Sequence, residues 1–436
     1  MDWPLKFDES SDGETRWLRH MRLPSACLTE GLRQTLPVAG DGLHAADLGL
    51  CDGTIVEITP PLVETKPMGM VWPRFVDCHS HIDKGLMVRR HPNPEGTFAG
   101  AASAFVNAYK EGFSQEDMCS RADFQIASAY ANGTGMLRSH VDMTPENHAY
   151  GFAALCDLAD RWRDWIDVQL VPFFGVETEA ESIPLFARLA ADLGQPALSA
   201  FLYADPVVDD FLGRVFKAAA DHGLDLDFHA DENLDPTSDM CERIADWAEK
   251  TAFKGRILIG HGCALSLWAE DRLSQVLARL ARFRVHFVSL PLCNSYLMDR
   301  EVADPKHRGF APVHAIRDAG IPVALASDNM ADAYHAYGDL DMVETFRFAV
   351  RTMHLDHPIM DWPASITRAP GAAIGTDETG LIAPGAAADL VVFKSRNWTE
   401  FMCRPQSDRL IIKGGSIVSA PLPDWQNLDH LKGLSP

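Results

Sequence analysis

Four histidines and an aspartate stand at the ends of strand-like runs of this sequence. His79 and His81 lie in Asp77-Cys78-His79-Ser80-His81, and His229 opens His229-Ala230-Asp231-Glu232. His261 sits in Gly260-His261-Gly262, and Asp328 in Ala326-Ser327-Asp328-Asn329. Residues two apart in an extended strand point the same way, so His79 and His81 can face one space. Imidazole nitrogens with a carboxylate oxygen suit a divalent metal, and zinc and iron fit equally well. Each residue alone has a plainer role. A His-x-His in a buried strand is often structural, Asp328 fits a helix N-cap, and Glu232 fits the first turn of a helix. Together, in order and at the same end of successive runs, they point to a metal site.

The elements that position them follow a regular alternation. Strand-like runs lie at 73–79, 136–142, 167–174, 197–202, 225–229, 256–261, 285–290 and 322–328. Helical spacing lies between them: Leu273, Val276, Leu277 and Leu280 share one face, as do Met240, Ile244, Trp247 and Ala248. Strand–helix alternation implies parallel strands, and eight units imply a closed (β/α)8 barrel of the TIM type, over residues 71–384. Such barrels carry their sites at the C-terminal strand ends, where the candidate ligands fall. Residues 1–70 read as irregular. The tail from 385 reads as strands, with a Gly414-Gly415 turn between two of them.

The bulk properties narrow the function. The 436 residues fill one barrel and a small second unit. A net charge of -22, from 61 acidic and 39 basic residues, repels nucleic acid and anionic membranes at long range but leaves a small neutral substrate free to enter a cleft. No apolar run approaches the roughly 20 residues of a spanning helix, and the first residues lack a signal-peptide pattern. The nine cysteines are scattered without a CxxC pair, which fits a reduced, cytoplasmic protein.

The motifs resemble a known family. Phe75-Val76-Asp77-Cys78-His79-Ser80-His81-Ile82-Asp83-Lys84 is similar to the opening metal motif of amidohydrolases. Leu137-Arg138-Ser139-His140-Val141-Asp142, His229-Ala230-Asp231-Glu232 and Phe287-Val288-Ser289-Leu290-Pro291-Leu292 resemble cytosine deaminase and its relatives. The resemblance runs from about 70 to 420. It implies one divalent ion held by His79, His81, His229 and Asp328, because no lysine ends the third or fourth run to bridge a second metal. It implies that this ion acidifies a bound water, that Asp328 takes the water's proton, that Glu232 carries a proton to the substrate ring, and that His261 stabilises developing charge. It also implies a small β-sandwich domain built from both chain ends, 1–70 and 385–436.

Substrate choice departs from cytosine deaminase in two places. That family carries a glutamine where Gly175 follows Pro172-Phe173-Phe174, and often Asp-Asp where Asp328-Asn329 stands. A cytosine-like or related aminated heterocycle is therefore expected rather than cytosine itself, with Phe174, Asn329 and Tyr334 as its contacts and Phe173 and His335 as further pocket wall. Two rivals use other chemistry: opening a cyclic amide or removing an alkylamine at the same metal, and a barrel that binds a ligand without turnover. The segment His91-Pro92-Asn93-Pro94-Glu95-Gly96-Thr97-Phe98 reads as a lid or an ordinary loop. A homo-oligomer is compatible with the sequence, which does not fix the oligomeric state.

Overall fold

The computed structural model describes residues 7–9, 14–62, 66–112, 114–144 and 148–434. Eight parallel strands in consecutive order make one sheet: β1 (Phe75–Ser80), β2 (Thr134–Asp142), β3 (Asp167–Gly175), β4 (Ala197–Phe201), β5 (Asp225–Ala230), β6 (Ile257–His261), β7 (Val285–Ser289) and β8 (Val323–Leu325). Each coincides with a run visible in the sequence, its ends displaced by three residues at most. Just beyond β8, Asp328 forms a bridge with Ser80 of β1, and its N–H donates to the His79 carbonyl at 3.0 Å.

Register decides which side chains look into the barrel. Arg138, His140 and Asp142 on β2 pair with Gln169, Val171 and Phe173 on β3. Phe173 continues to Ser199 and Asp227, and Gly175 to Phe201 and His229. These residues face inward, and their neighbours face the helices: Phe174 lies on Phe186 and Phe211, and Phe228 on Phe216. On these strands the polar groups Arg138, His140, Asp142, Gln169, Ser199, Asp227 and His229 point in beside Val171, Phe173 and Phe201, so the interior is a platform for charge as well as a core. Beneath the site Arg138 donates to Asp227 at 3.1 Å and to Gln169 at 3.1 and 2.8 Å, with Arg138 and Asp227 both fully buried. A buried pair of this kind survives only with its hydrogen bonds complete.

The surrounding helices pack by the faces their spacing shows. Glu270–Leu280 buries Val276, Leu277 and Leu280, and Met240–Thr251 buries Met240, Ile244 and Ala248. Each of the larger side chains among them contributes about 1.5–3 kcal/mol by leaving water. Trp247 is half-buried because it lies against Gly213, where a Cβ would come within 2.6 Å of its ring. Among the described residues no helix is long and apolar enough to cross a membrane.

The two chain ends meet in a second, mixed sheet of nine strands. Its path runs Ser416–Val418, Leu410–Lys413, Leu390–Phe393, Gly69–Pro73, Arg16–Pro24, Leu43–Cys51 and Val38–Gly40, with Asp8–Glu9 and Thr54–Thr59 attached beside it. Residues before 70 therefore hold strands where the sequence reads as irregular. The reason shows in Leu43–Cys51: all but its last residue are buried, His44 and Asp47 included, so no alternation of apolar and polar marks the strand. The turn between the last two strands has Gly414 and Gly415 at φ of 53° and 73°, the left-handed pair that a two-residue hairpin turn requires.

Candidate active site

Three imidazoles and one carboxylate converge at the C-terminal mouth of the barrel. His79 is the last residue but one of β1, His81 follows the strand, His229 is on β5 and Asp328 lies just beyond β8. Asp328 Oδ1 is 3.6 Å from His79 Nε2 and 3.5 Å from His81 Nε2, and His81 Nε2 is 3.2 Å from His229 Nε2. Donors about 2.0–2.1 Å from a tetrahedral ion stand about 3.3–3.4 Å apart, so this spacing fits one ion of the zinc or iron class. Both carboxylate oxygens of Asp328 and both ring nitrogens of His79 are buried without a hydrogen-bond partner among the described residues. Burial holds all three imidazoles well below the ordinary histidine range, which leaves neutral rings with lone pairs to give. Burial also pushes Asp328 up to about 7, a cost that a cation among these donors would offset.

The backbone beneath these groups is held in an uncommon conformation. Asp231, His261 and Asp328 have φ of 53°, 70° and 69°. Non-glycine residues in that region cost on the order of 1–3 kcal/mol each and persist where surrounding contacts fix them. At Asp328 those contacts include its own N–H on His79 and the preceding Ser327, whose N–H and hydroxyl both donate to the buried Asp77.

Glu232 lies beside the cluster, buried, with Oε1 3.2 Å from His261 Nδ1. Burial first, and the Asp328 charge second, raise its carboxyl well above the usual range. A helix-capping role is excluded, because the helix Met240–Thr251 is capped by its neighbour. Asp231 accepts the N–H groups of Met240 at 3.0 Å and Cys241 at 2.8 Å. His261 is neutral, pushed down to about 3 by burial first and then by His140. Asn294 lies with Nδ2 3.0 Å from His261 Nδ1, while Nε2 has no partner among the described residues. An Asn294 amide that donates to Nδ1 would leave the ring proton on Nε2.

The expected substrate contacts fall differently. Phe174 is turned to the helix layer, and Phe173 takes the inward place, its ring 4.4 Å from His229. A step of one residue along a strand reverses the side a residue faces, and the apolar pair Phe173-Phe174 gives no cue to which is inside. The Asn329 amide is committed to its own loop: Nδ2 donates to Asp332 at 2.6 Å, and Oδ1 lies 3.5 Å from Cys293 Sγ. Tyr334 is half-buried and faces the space beside Lys84. His335 is buried and bonds within the same loop, to the Asn329 carbonyl at 3.3 Å. The 91–98 segment is pinned, with Asn93 donating to the carbonyls of Thr97 and Ala333.

Two residues without a role in the sequence reading belong to this centre. Lys84 is buried with Nζ 3.1 Å from Asp142 and 5.0–5.3 Å from the rings of Phe105, Tyr334 and Phe173. Burial works against its charge, but Asp142, with Tyr334, Asp83 and Asp332 beyond, more than offsets that and holds the ammonium charged. It stands three residues after His81, inside the opening motif. His140 lies under the cluster, its ring 4.3 Å from that of His79. Its nitrogens face the Ser80 carbonyl at 3.3 Å and Asp227 at 3.4 Å, and one of them also lies within reach of an ion shared with His79, His81 and His229.

Comparison with known proteins agrees with this geometry. The chain is 36% identical over 405 residues to a pterin deaminase of Rhizobium rhizogenes, covering 91% of this chain and 92% of the relative. It is 26% identical over 405 residues to the N-isopropylammelide isopropyl amidohydrolase of Pseudomonas sp., covering 85% of this chain and 93% of that one. The solved 5-methylcytosine deaminase of Klebsiella pneumoniae superposes with a TM-score of 0.77 at 23% identity, over 92% of this chain and 97% of that one. The sequence model of the amidohydrolase family matches residues 112–418, most of the barrel and the tail strands, and the chain belongs to that family.

Proposed function

We propose that this protein is a metal-dependent hydrolytic deaminase of a flat, aminated nitrogen heterocycle related to cytosine and pterin, releasing ammonia and leaving a ring carbonyl. The observation that carries the reading is the buried Glu232 held 3.2 Å from His261 beside three imidazoles and a carboxylate of ligand spacing. In this reading His79, His81, His229 and Asp328 hold one divalent ion, zinc or iron, which when bound lowers the pKa of a water. Asp328 takes a proton from the attacking water. Glu232 gives its proton to the ring nitrogen beside the amino-bearing carbon, which makes that carbon electrophilic. The Nε2–H of His261 donates to the oxygen as charge develops on it. The amino group leaves with the proton that Asp328 took, and the remaining hydroxyl proton returns to Glu232 as the carbonyl forms, so water and the amino compound become a carbonyl and ammonia with both carboxyl groups restored. Phe173 and Tyr334 supply flat walls, and burial of the cluster excludes competing water.

The substrate is a free small molecule, in line with the acidic surface and with nine cysteines that are all unpaired, as in a cytoplasmic protein. Removal of an alkylamine is the second reading, favoured by the isopropylammelide relative. Purified enzyme, loaded with zinc or iron and then stripped by chelation, should release ammonia from pterin or an aminated pyrimidine only when loaded. Release of alkylamine from an N-alkyl substrate, with no ammonia from any amino heterocycle, would replace the first reading by the second.

A further inference from the structure

The seam between β8 and β1 is closed a second time above the Ser80–Asp328 bridge. The loops that continue from His81 and Asp328 bond to each other there, the Leu86 N–H to the Met330 carbonyl at 2.9 Å and the Val88 N–H to the Ala331 carbonyl at 3.0 Å. Segment 425–434 lies across the first of these loops, although it arrives from the other sheet, after Ser416–Val418. It begins with the short helix Trp425–Leu428, and the Trp425 ring stands 5.0 Å from that of Phe124. Of its residues only Leu428, Leu431 and Leu434 are buried. Its backbone hydrogen bonds close within the segment or on Asp424. Among the described residues one further hydrogen bond ties it to the rest of the chain, from the Arg89 guanidinium to the Leu434 carbonyl at 2.8 Å. At Gly433 its backbone comes against the Arg90 side chain, which lies 3.3 Å from where a Cβ would stand. Arg90 leads inward. It donates to Asp117 at 2.7 Å, Asp117 accepts from Arg121 at 2.9 Å, and Arg121 donates to the carbonyls of Asp83 and Gly85 at 2.8 and 2.7 Å. Those carbonyls follow His81 and flank Lys84.

The segment is fastened without being sealed. A cavity of about 260 Å³ remains between it and the loops, lined by Leu86, Val88, Ala331, Trp425 and Leu428 among others. Protein interiors hold few voids larger than a water, so the contact across this gap is thin. A stretch with three apolar anchors and one outside hydrogen bond can open while the barrel stays folded, because such parts unfold locally at less than the free energy of global unfolding. We propose that segment 425–434 is a strap that opens as a unit and sets how fast the metal site exchanges its ion. Closed, it backs Arg90 and so steadies loop 83–90 against 330–331. Open, it removes the stop behind Arg90, and that loop, with His81 at its root, parts more often from Asp328 across the seam. The proposal rests on the metal reading of the site and adds a control on how the ion is kept. The strap reaches no metal donor and no substrate, so it does not act on the chemical step.

The whole chain carries the test, as Leu431→Ala, Leu428→Ala/Leu431→Ala and Arg89→Ala. A buried leucine cut to alanine shifts an opening equilibrium by about 30-fold or more, so Leu431→Ala should pass zinc from the loaded enzyme to a chromogenic chelator about 10- to 30-fold faster. In the metal-free protein, amide exchange should rise at 425–434, 83–90 and 328–332 while β3 to β6 keep their wild-type protection. The second leucine should lower the urea midpoint little beyond the first, since an open strap has no burial left to lose. Where the leucine variants fold poorly, Arg89→Ala should move zinc transfer and exchange in the same direction, and Arg89→Lys, which keeps a donor for the Leu434 carbonyl, should restore both. Equal falls in midpoint for each leucine, with exchange rising throughout the barrel, would make the segment ordinary core and overturn the proposal. So would zinc transfer and exchange at 83–90 that stay at wild-type values while 425–434 opens. If the wild type holds no zinc, the metal reading itself falls and the proposal with it.

Discussion

Replacing Glu232 by glutamine separates proton transfer from every other property of the site. The side chain is buried and accepts no backbone N–H, because Asp231 caps the following helix, so the helix loses nothing. Glutamine has nearly the same shape and can still meet His261 Nδ1, now 3.2 Å from Glu232 Oε1. Glu232 is not placed as a metal ligand, so metal content should stay at the wild-type level. What disappears is an ionisable carboxyl whose pKa burial, and then the Asp328 charge, raises well above the usual range. A positioned acid of this kind contributes about 10²–10⁴-fold in rate, or roughly 3–5.5 kcal/mol. Glu232→Gln should therefore lose that factor in kcat with a smaller change in KM. Ammonia release gives kcat, elemental analysis the metal, and thermal unfolding the fold. A metal-replete variant within threefold of wild-type kcat would refute the argument, and the proton would then have to come through Asp328.

Other consequences test the scaffold. Arg138→Met leaves Asp227 as an uncompensated buried charge and should cost about 3–5 kcal/mol in denaturant unfolding; the double variant Arg138→Met/Asp227→Leu should recover part of it, and no recovery would mean that the ion pair is not the source. Phe174→Ala should cost about 3–5 kcal/mol of stability with KM near wild type, whereas Phe173→Ala should raise KM; the opposite assignment would reverse the facing of β3. Asp77 has a carboxyl raised to about 7 from 3.8, chiefly by burial, so the folded protein keeps a proton that the unfolded chain loses near pH 4. Its contribution to stability is fully present below about pH 4 and is lost as pH rises toward 7. The fall in urea midpoint between pH 5 and pH 8 should be smaller in Asp77→Asn, and an unchanged fall would discount the shift.

The sequence made the eight barrel strands visible because each is a short apolar run with turn signals around it, and the metal donors visible because they end those runs. Lys84 was inside the first motif, but nothing in spacing says that its ammonium meets Asp142, a contact made across two strands. Asn294 acts from a segment beyond a strand end, where geometry depends on the loop path and leaves no periodic trace. The choice between Phe173 and Phe174 turns on a single step of register. Residues before 70 concealed their strands because Leu43–Cys51 is buried on both faces, polar residues included.

The barrel has a seam. Along seven of its joins the strands pair as ladders, the one between β1 and β2 with two shifts of register, but β8 is three residues long and reaches β1 by one bridge and the Ser327–Asp77 contacts. His79 and His81 lie on one side of that seam and Asp328 on the other. An ion bound by all three is a clasp across the weakest join of the cylinder. Metal loss should then loosen the wall as well as stop chemistry, with amide exchange rising first at 77–81 and 323–328 while β3 to β6 stay protected.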